Sequence, residues 1–477
     1  MHEIAPKARH SARFSMSILL CFVTLFAVFA VQFGTAEPAA AQQAVPTSTP
    51  ADPFTQAFNA VRRALEEKYS TDLTYVTRWE FDEANFTGGI TSCVDLGEDE
   101  QPITLYWGWR FVITSLSNRT FEGRASFDRS VIIACDRVEA PQTTAAPEAA
   151  VDPNLPAPVA GSGATGSFEL GGHVLELNSN TVSLMRRARM TWVKKQFRYQ
   201  LGQDPSAAAG LIQSARSNGF RILLGIVGSP SELGANYDSY INSYAQFVAG
   251  VAAQGADAIE VWNEPNIDRE WPAGQINGAN YTRLLAASFN AIKSANPNTI
   301  VISGAPAPTG FFGSAGCGTG GCNDDVFMQQ MAAAGAASYM DCVGLHYNEG
   351  IVAPSQTGGD PRGSYPTYFF QSMLARGYNP FSKPVCFTEL GYLSPEGFND
   401  PLPSSFAWAQ NTSVAEHAAW LAEAASLAAQ SGRVRMMIVW NVDFPFYTAT
   451  DPMGGYGMNR PGGSCPACDT LGAVMGG

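Results

Sequence analysis

Basic residues are in deficit, with 29 lysines and arginines against 42 aspartates and glutamates. With a net charge of −13 and a pI near 4.9 the chain offers no electrostatic footprint for nucleic acid or an anionic membrane, and a neutral or basic ligand is easier to accommodate. No Walker A, HExxH or GxSxG sequence occurs, which removes the P-loop, zincin and nucleophile-elbow chemistries. Histidine is scarce, and His173 and His417 have no partners at metal-ligand spacing, so neither a metal nor a cofactor is expected. Only one long apolar run is found, over residues 18–31.

That run follows Lys7, Arg9 and Arg13 and precedes the small-residue stretches Gly34-Thr35-Ala36 and Ala39-Ala40-Ala41. This is the layout of a secretory signal peptide ending near Ala36 or Ala41. It is short for a spanning helix, which needs about 20 residues, and an uncleaved anchor is the alternative. The whole chain is 45% apolar, enough to bury a core. Of nine cysteines, Cys21 falls in the signal, leaving an even eight that suits an oxidising, extracytoplasmic compartment. Proximity suggests Cys93 with Cys135, Cys317 with Cys322 and Cys465 with Cys468. Cys342 and Cys386 fall within expected strands, where a bridge and two buried thiols are both open.

Two Pro/Ala/Thr-rich stretches lack the large apolar residues of a core and read as linkers. They divide the chain into a signal (1–41), a linker (42–53), a small α+β module (54–139), a second linker (140–166) and a larger domain (167–477). The module combines a helical pattern over 54–69, with Phe58, Val61 and Leu65 on one face, with alternating patterns over 73–86, 103–116 and 119–135. Antiparallel strands on one helix, stapled by Cys93 and Cys135, fit it. Tyr106, Trp107 and Trp109 are candidates for a sugar-stacking surface, with burial in the module's core as the competing reading.

From Phe168 the pattern becomes strand, helix, strand, helix. Apolar runs at 173–177, 192–199, 220–227, 258–262, 299–305, 341–347, 384–388 and 434–440 make eight candidate strands. Helical stretches at 206–217, 237–253, 281–295, 326–337 and 414–430 separate them, and a stunted one over 468–474 closes the chain. Eight βα repeats in roughly 310 residues is the count of an α/β TIM (β/α)8 barrel; a doubly wound sheet is the alternative.

Two of these strands end in a carboxylate. Residues 259–266, IEVWNEPN, deliver Glu264 at a strand end just before a proline, and residues 383–392, KPVCFTELGY, do the same for Glu389 roughly 125 residues later. Two glutamates at one rim of one barrel are what glycoside hydrolysis uses, one to protonate the leaving oxygen and one to attack the anomeric carbon. The acid needs an apolar or anionic setting that raises its pKa, whereas the nucleophile needs donors that keep it ionised.

At these strand ends the sequence resembles the retaining glycoside hydrolases of clan A, the (β/α)8 group that includes β-xylosidases, cellulases and mannanases. The resemblance covers the barrel and not the module. It implies that Asn263 and Glu264 are the Asn-Glu pair closing strand four, with Glu264 as acid/base, and that Glu389 within FTELGY is the nucleophile closing strand seven. It further implies substrate-site roles for Arg198 closing strand two, His346 and Tyr347 closing strand six, and Trp440 closing strand eight. The adjacency of His346 and Tyr347 departs from the clan, where one residue often separates the two, and neighbours on a strand face opposite ways. Arg198 as a structural ion-pair partner and Trp440 as core are the plain alternatives.

The expectation is a secreted, monomeric glycosidase with a carbohydrate substrate. A non-catalytic carbohydrate-binding barrel and a transglycosidase are the competing readings. Asp268, Glu270, Trp271, Asp443 and Tyr447 are candidates for setting specificity. Two G-x-G-x-x-G matches, at 161–166 and 316–321, do not follow strands directly and are not dinucleotide sites. Cys465-Pro-Ala-Cys468 reads as a structural bridge rather than a redox motif.

Overall fold

A computed structural model describes residues 53–73, 76–86, 89–91, 93, 107–115, 119–139, 155–159, 167–310, 312 and 316–476. The expected signal lies outside the described residues. Helix α1 (Pro53–Tyr69) packs on an antiparallel sheet in the order β1 (Val76–Asn85), β2 (Trp107–Ser115), β3 (Thr120–Ser126) and β4 (Ile132–Glu139). Phe58, Val61 and Leu65 are buried against Phe111, Ile113 and Phe121, the helical spacing meeting the period-two face of the strands. The expected strand over 119–135 is therefore two, divided by a turn in which Asp128 accepts from Ser126 and Ser130 side chains and the Ser130 backbone. Trp109 is buried, whereas Trp107 stays 61% exposed; Tyr106 lies outside the described residues.

The remaining sheet has eight strands, all parallel. In chain order they are β5 (Glu169–His173), β6 (Trp192–Arg198), β7 (Arg221–Val227), β8 (Ala258–Val261), β9 (Ile300–Ser303), then, after a hairpin of β10 (Cys317–Gly318) and β11 (Gly321–Cys322), β12 (Val343–Tyr347), β13 (Val385–Leu390) and β14 (Val434–Val439). Pairing runs β12-β13-β14-β5-β6-β7-β8-β9. A parallel bridge between Ile302 and Cys342 joins the two ends, so the sheet comes round into the TIM barrel. The larger helices between strands are α2 (Ser179–Arg187), α3 (Ala209–Ser217), α4 (Pro230–Ala235), α5 (Tyr237–Ala253), α6 (Gly278–Ala295), α7 (Asp324–Ala333), α8 (Phe370–Tyr378), α9 (Val414–Ser431) and α10 (Pro466–Val474).

Alternation along the strands builds the barrel in layers. Trp192, Leu223, Ala258, Ile302, Cys342, Cys386, Met436 and Ile438 fill the lower interior. Two positions further along β6 and β8 come Lys194 and Glu260, fully buried, which put charge where apolar packing would be expected. Gly225 leaves room for them: a Cβ there would lie 3.2 Å from Glu260 Oε2 and 3.4 Å from Lys194 Cε.

The first barrel strand covers 169–173 rather than 173–177. Its apolar signal is broken by Gly171 and Gly172, which are needed where backbones crowd. A Cβ on Gly171 would come within 2.6 Å of both Ile438 Cδ1 and Trp192 Cβ. Helices α2 and α8 carry no expectation in the sequence pattern, and both have only nine residues. All four disulfides are formed, including Cys342 to Cys386 between the entry to β12 and β13. Of the second expected linker, residues 155–159 are docked on the barrel. Val159 N donates to Asn290 Oδ1 at 2.8 Å, Tyr339 donates to Pro156 O at 2.8 Å, and Leu155 packs against the core.

Candidate active site

The residues at the carboxyl ends of the strands are aimed by local backbone devices. Glu264 follows β8 with φ +44°, and its N–H donates to Ala305 O at 2.9 Å, which ties it to the end of β9. Positive φ at a non-glycine residue is costly and tends to be kept where a side chain must be aimed. On β13 the register with β12 skips from Phe387 to Glu389, a bulge at Thr388. The extra residue lets Thr388 donate to Glu260 Oε1 at 2.7 Å while Glu389 also faces inward.

The two carboxylates meet at one imidazole. His346 Nδ1 lies 3.3 Å from Glu264 Oε1 and 3.8 Å from Glu389 Oε2. Burial alone would lower the pKa of His346; Glu389 and Glu264 outweigh it, and the ring is held above its ordinary range. Beneath Glu389, Lys194 Nζ stands 3.3 Å from Oε1, 2.9 Å from Glu260 Oε2 and 3.2 Å from Thr388 O. Burial opposes the lysine's charge, but the two glutamates prevail and raise its pKa. His173 Nδ1 is 3.9 Å from Glu389 Oε1, and burial followed by the charge of Lys194 pushes this ring well below its ordinary value, leaving it neutral. Trp440 packs edge-on against His173 with ring centroids 4.7 Å apart and remains half-buried.

Glu264 meets a setting opposite to the one expected. Burial favours its neutral form, yet the hydrogen bond and charge of His346, joined by Arg269 on Oε2, hold its pKa below the ordinary carboxylate range. Arg198 does not reach Glu389; it makes two bonds to Glu270, at 2.8 and 3.1 Å. Tyr347 is a further correction. It is fully buried on the outer face of β12, with its hydroxyl on Tyr368 O at 3.0 Å and its ring against Phe370 and Tyr392, because its neighbour His346 takes the inner face. Asn263 is buried beside Glu264, and its Oδ1 has no hydrogen-bond partner among the described residues, an acceptor left for a ligand.

Among the specificity candidates, Trp271 is core against Trp262 and Tyr281. Asp443 accepts from the backbone of Leu175 and Glu176 and from Thr181, so it anchors the loop after β5. Tyr447 stacks on Phe398 at 4.0 Å. Sequence reasoning missed Lys194, Glu260, His173 and Arg269. For the first two the signal was present: both are charges at inner-face positions of strands, two residues on from Trp192 and Ala258.

No protein-family model matches this chain, and no curated protein matches it either. Among solved structures, it is similar to a family 39 glycoside hydrolase from the gut symbiont Bacteroides cellulosilyticus WH2, with 17% identity over 77% of this chain and 70% of that one and a TM-score of 0.45. An endo-1,4-β-mannanase from Rhizomucor miehei has 14% identity over 67% of this chain and 99% of its own, TM-score 0.43. The catalytic domain of Thermobifida fusca endoglucanase Cel5A has 15% identity over 66% of this chain and 96% of its own, TM-score 0.39. At TM-scores below 0.5 these likenesses carry neither fold nor chemistry here. The fold rests on the strand order, and the chemistry on the residues just described.

Proposed function

We propose that this protein is a secreted retaining glycoside hydrolase that cleaves β-linked O-glycosidic bonds of an oligo- or polysaccharide by double displacement. The observation that carries the reading is the convergence of Glu264 and Glu389, from strands β8 and β13, on His346 Nδ1. Glu389, backed by Lys194, attacks the anomeric carbon; Glu264 protonates the leaving oxygen and then activates the water that releases the sugar. His346 spaces and orients the two carboxylates, Asn263 accepts from the sugar's 2-hydroxyl, and Trp440 offers a face to the ring.

His346 reaches both glutamates, and the other cations tell them apart. The buried ammonium of Lys194 sits against Glu389, whereas Glu264 carries the exposed guanidinium of Arg269. The four disulfides support export. A transglycosidase shares the covalent intermediate and differs only in the acceptor. Proton NMR of the first product formed from a β-linked oligosaccharide tests the stereochemistry. The β-anomer should appear before mutarotation, and the α-anomer as first product overturns the retaining assignment.

A further inference from the structure

The loop after β8 displays charges that the reaction as written does not use. Arg269 donates to Glu264 Oε2, and its Nε lies 3.7 Å from Glu270 Oε1. Glu270 is buried and already committed to two bonds from Arg198. Both arginines are open to solvent, with 58% of the Arg198 side chain and 68% of the Arg269 side chain exposed. The loop is pinned from above by the disulfide-closed hairpin of β10 and β11. Asp268 N donates to Gly320 O, Gly274 N to Thr319 O and Cys322 N to Asn266 O.

In the resting site two guanidinium groups face two carboxylates, and the charges balance. To act as the acid, Glu264 must take up a proton. The contacts then leave Glu270 as the single carboxylate shared by both arginines. One positive charge is uncompensated, exposed, and placed beside the oxygen that gives up the proton, which is the leaving-group side. A neutral sugar does not answer that charge, but a carboxylate does, and the planar fork of a guanidinium suits it. Drawing Arg269 towards such a group also removes one of the cations that keep Glu264 ionised. The chain's net charge of −13 favours neutral or basic ligands at long range, so this rim is a local exception.

Building on the hydrolase reading, we propose that the leaving-group side of the site accepts a uronic acid residue, whose carboxylate pairs with Arg269 and Arg198 and releases Glu264 to carry its proton. Arg269 is thus a specificity-determining residue that couples recognition of the acidic sugar to the acid step.

The test uses the full chain and matched pairs of 3-carboxyphenyl and 3-methoxycarbonylphenyl β-D-xylosides, β-D-glucosides and β-D-mannosides. The ester is the better leaving group, so a preference for the carboxylate runs against intrinsic reactivity. Wild-type kcat/KM should favour the carboxylate by about tenfold, a preference that shrinks with added salt. Arg269→Gln should abolish it, and Arg269→Lys should retain part of it. Turnover of the ester at least as fast as the carboxylate, or a preference that survives in Arg269→Gln, overturns this proposal alone. No turnover of any pair overturns the hydrolase reading and this proposal with it.

Discussion

Lys194 holds the floor of the site together. It sits between Glu260 and Glu389 with no access to water, so its ammonium is the counter-charge for two buried carboxylates. Lys194→Met is expected to lose about 3–5 kcal/mol of stability, since breaking a buried pair strands the remaining charge. Thermal melting of Lys194→Met beside the double variant Lys194→Met/Glu260→Gln checks this: the second change should restore part of the loss, but kcat should stay low in both. The two carboxylates at the rim divide differently. Glu389→Ala should abolish turnover of every substrate, with added azide restoring it to give product of inverted configuration. Glu264→Ala should lower kcat/KM about 10²–10⁴-fold on poor leaving groups and spare activated ones, with glycosyl-enzyme accumulating. Equal losses on both substrate types would break the assignment.

At the scale of elements, α9 shows how burial becomes pH dependence. The helix opens with Ser413 and Glu416 in a reciprocal capping box and buries His417, whose Nε2 faces Tyr456 O at 3.2 Å. Burial, reinforced by the charge of Arg460, pushes the pKa of His417 from its ordinary 6.5 to about 3. Between those values the unfolded chain binds a proton that the folded chain refuses. Stability therefore falls as pH drops from 6.5 towards 3, by up to ~1.4 kcal/mol per pH unit, and is unaffected above that window. His417→Gln keeps a donor for Tyr456 O and should flatten the acid limb of a melting-temperature profile relative to wild type. An unchanged limb would contradict the burial argument.

How far the elements were legible follows the same physics. Six of the eight barrel strands lie within their expected spans because continuous apolar runs bounded by turns have few alternatives, and β13 runs two residues past its own, to Leu390. The first was displaced because Gly171 on its inner face and Gly172 on its outer face contribute packing space and no apolar signal. Glu264 and Glu389 could be read because each closes an apolar run. Lys194 and Glu260 gave a signal that was easy to misread, because a charge inside a strand reads as an outward face until the barrel's interior is known. Tyr347 and His346 illustrate the remaining limit: strand period separates them, but only the structure says which one looks inward.

For the whole molecule, the front module and the barrel meet at one edge, where Trp79 stands edge-on to Tyr365 at 6.3 Å. The barrel has its own closed core, so a chain starting at residue 154 should fold and cleave a small soluble substrate. A chain starting at Gly166 loses the contacts of Leu155, Pro156, Ala157 and Val159 on α6 and on Tyr339. It should melt several degrees lower. Equal melting temperatures would mean that residues 155–159 only rest on the barrel; insoluble protein from both would mean that the module belongs to the barrel's fold.

Two glutamates brought together by strands β8 and β13 are proposed to perform a double displacement with Glu389 as nucleophile. This assignment is tested most directly by incubating the full chain with 2-deoxy-2-fluoro β-glycosides bearing a dinitrophenyl leaving group, then locating the label by peptide mass spectrometry. Time-dependent inactivation is expected, with one sugar attached to the peptide that carries Glu389. A label on Glu264 or any other residue, or turnover of these substrates with inverted product and no label, would contradict the assignment.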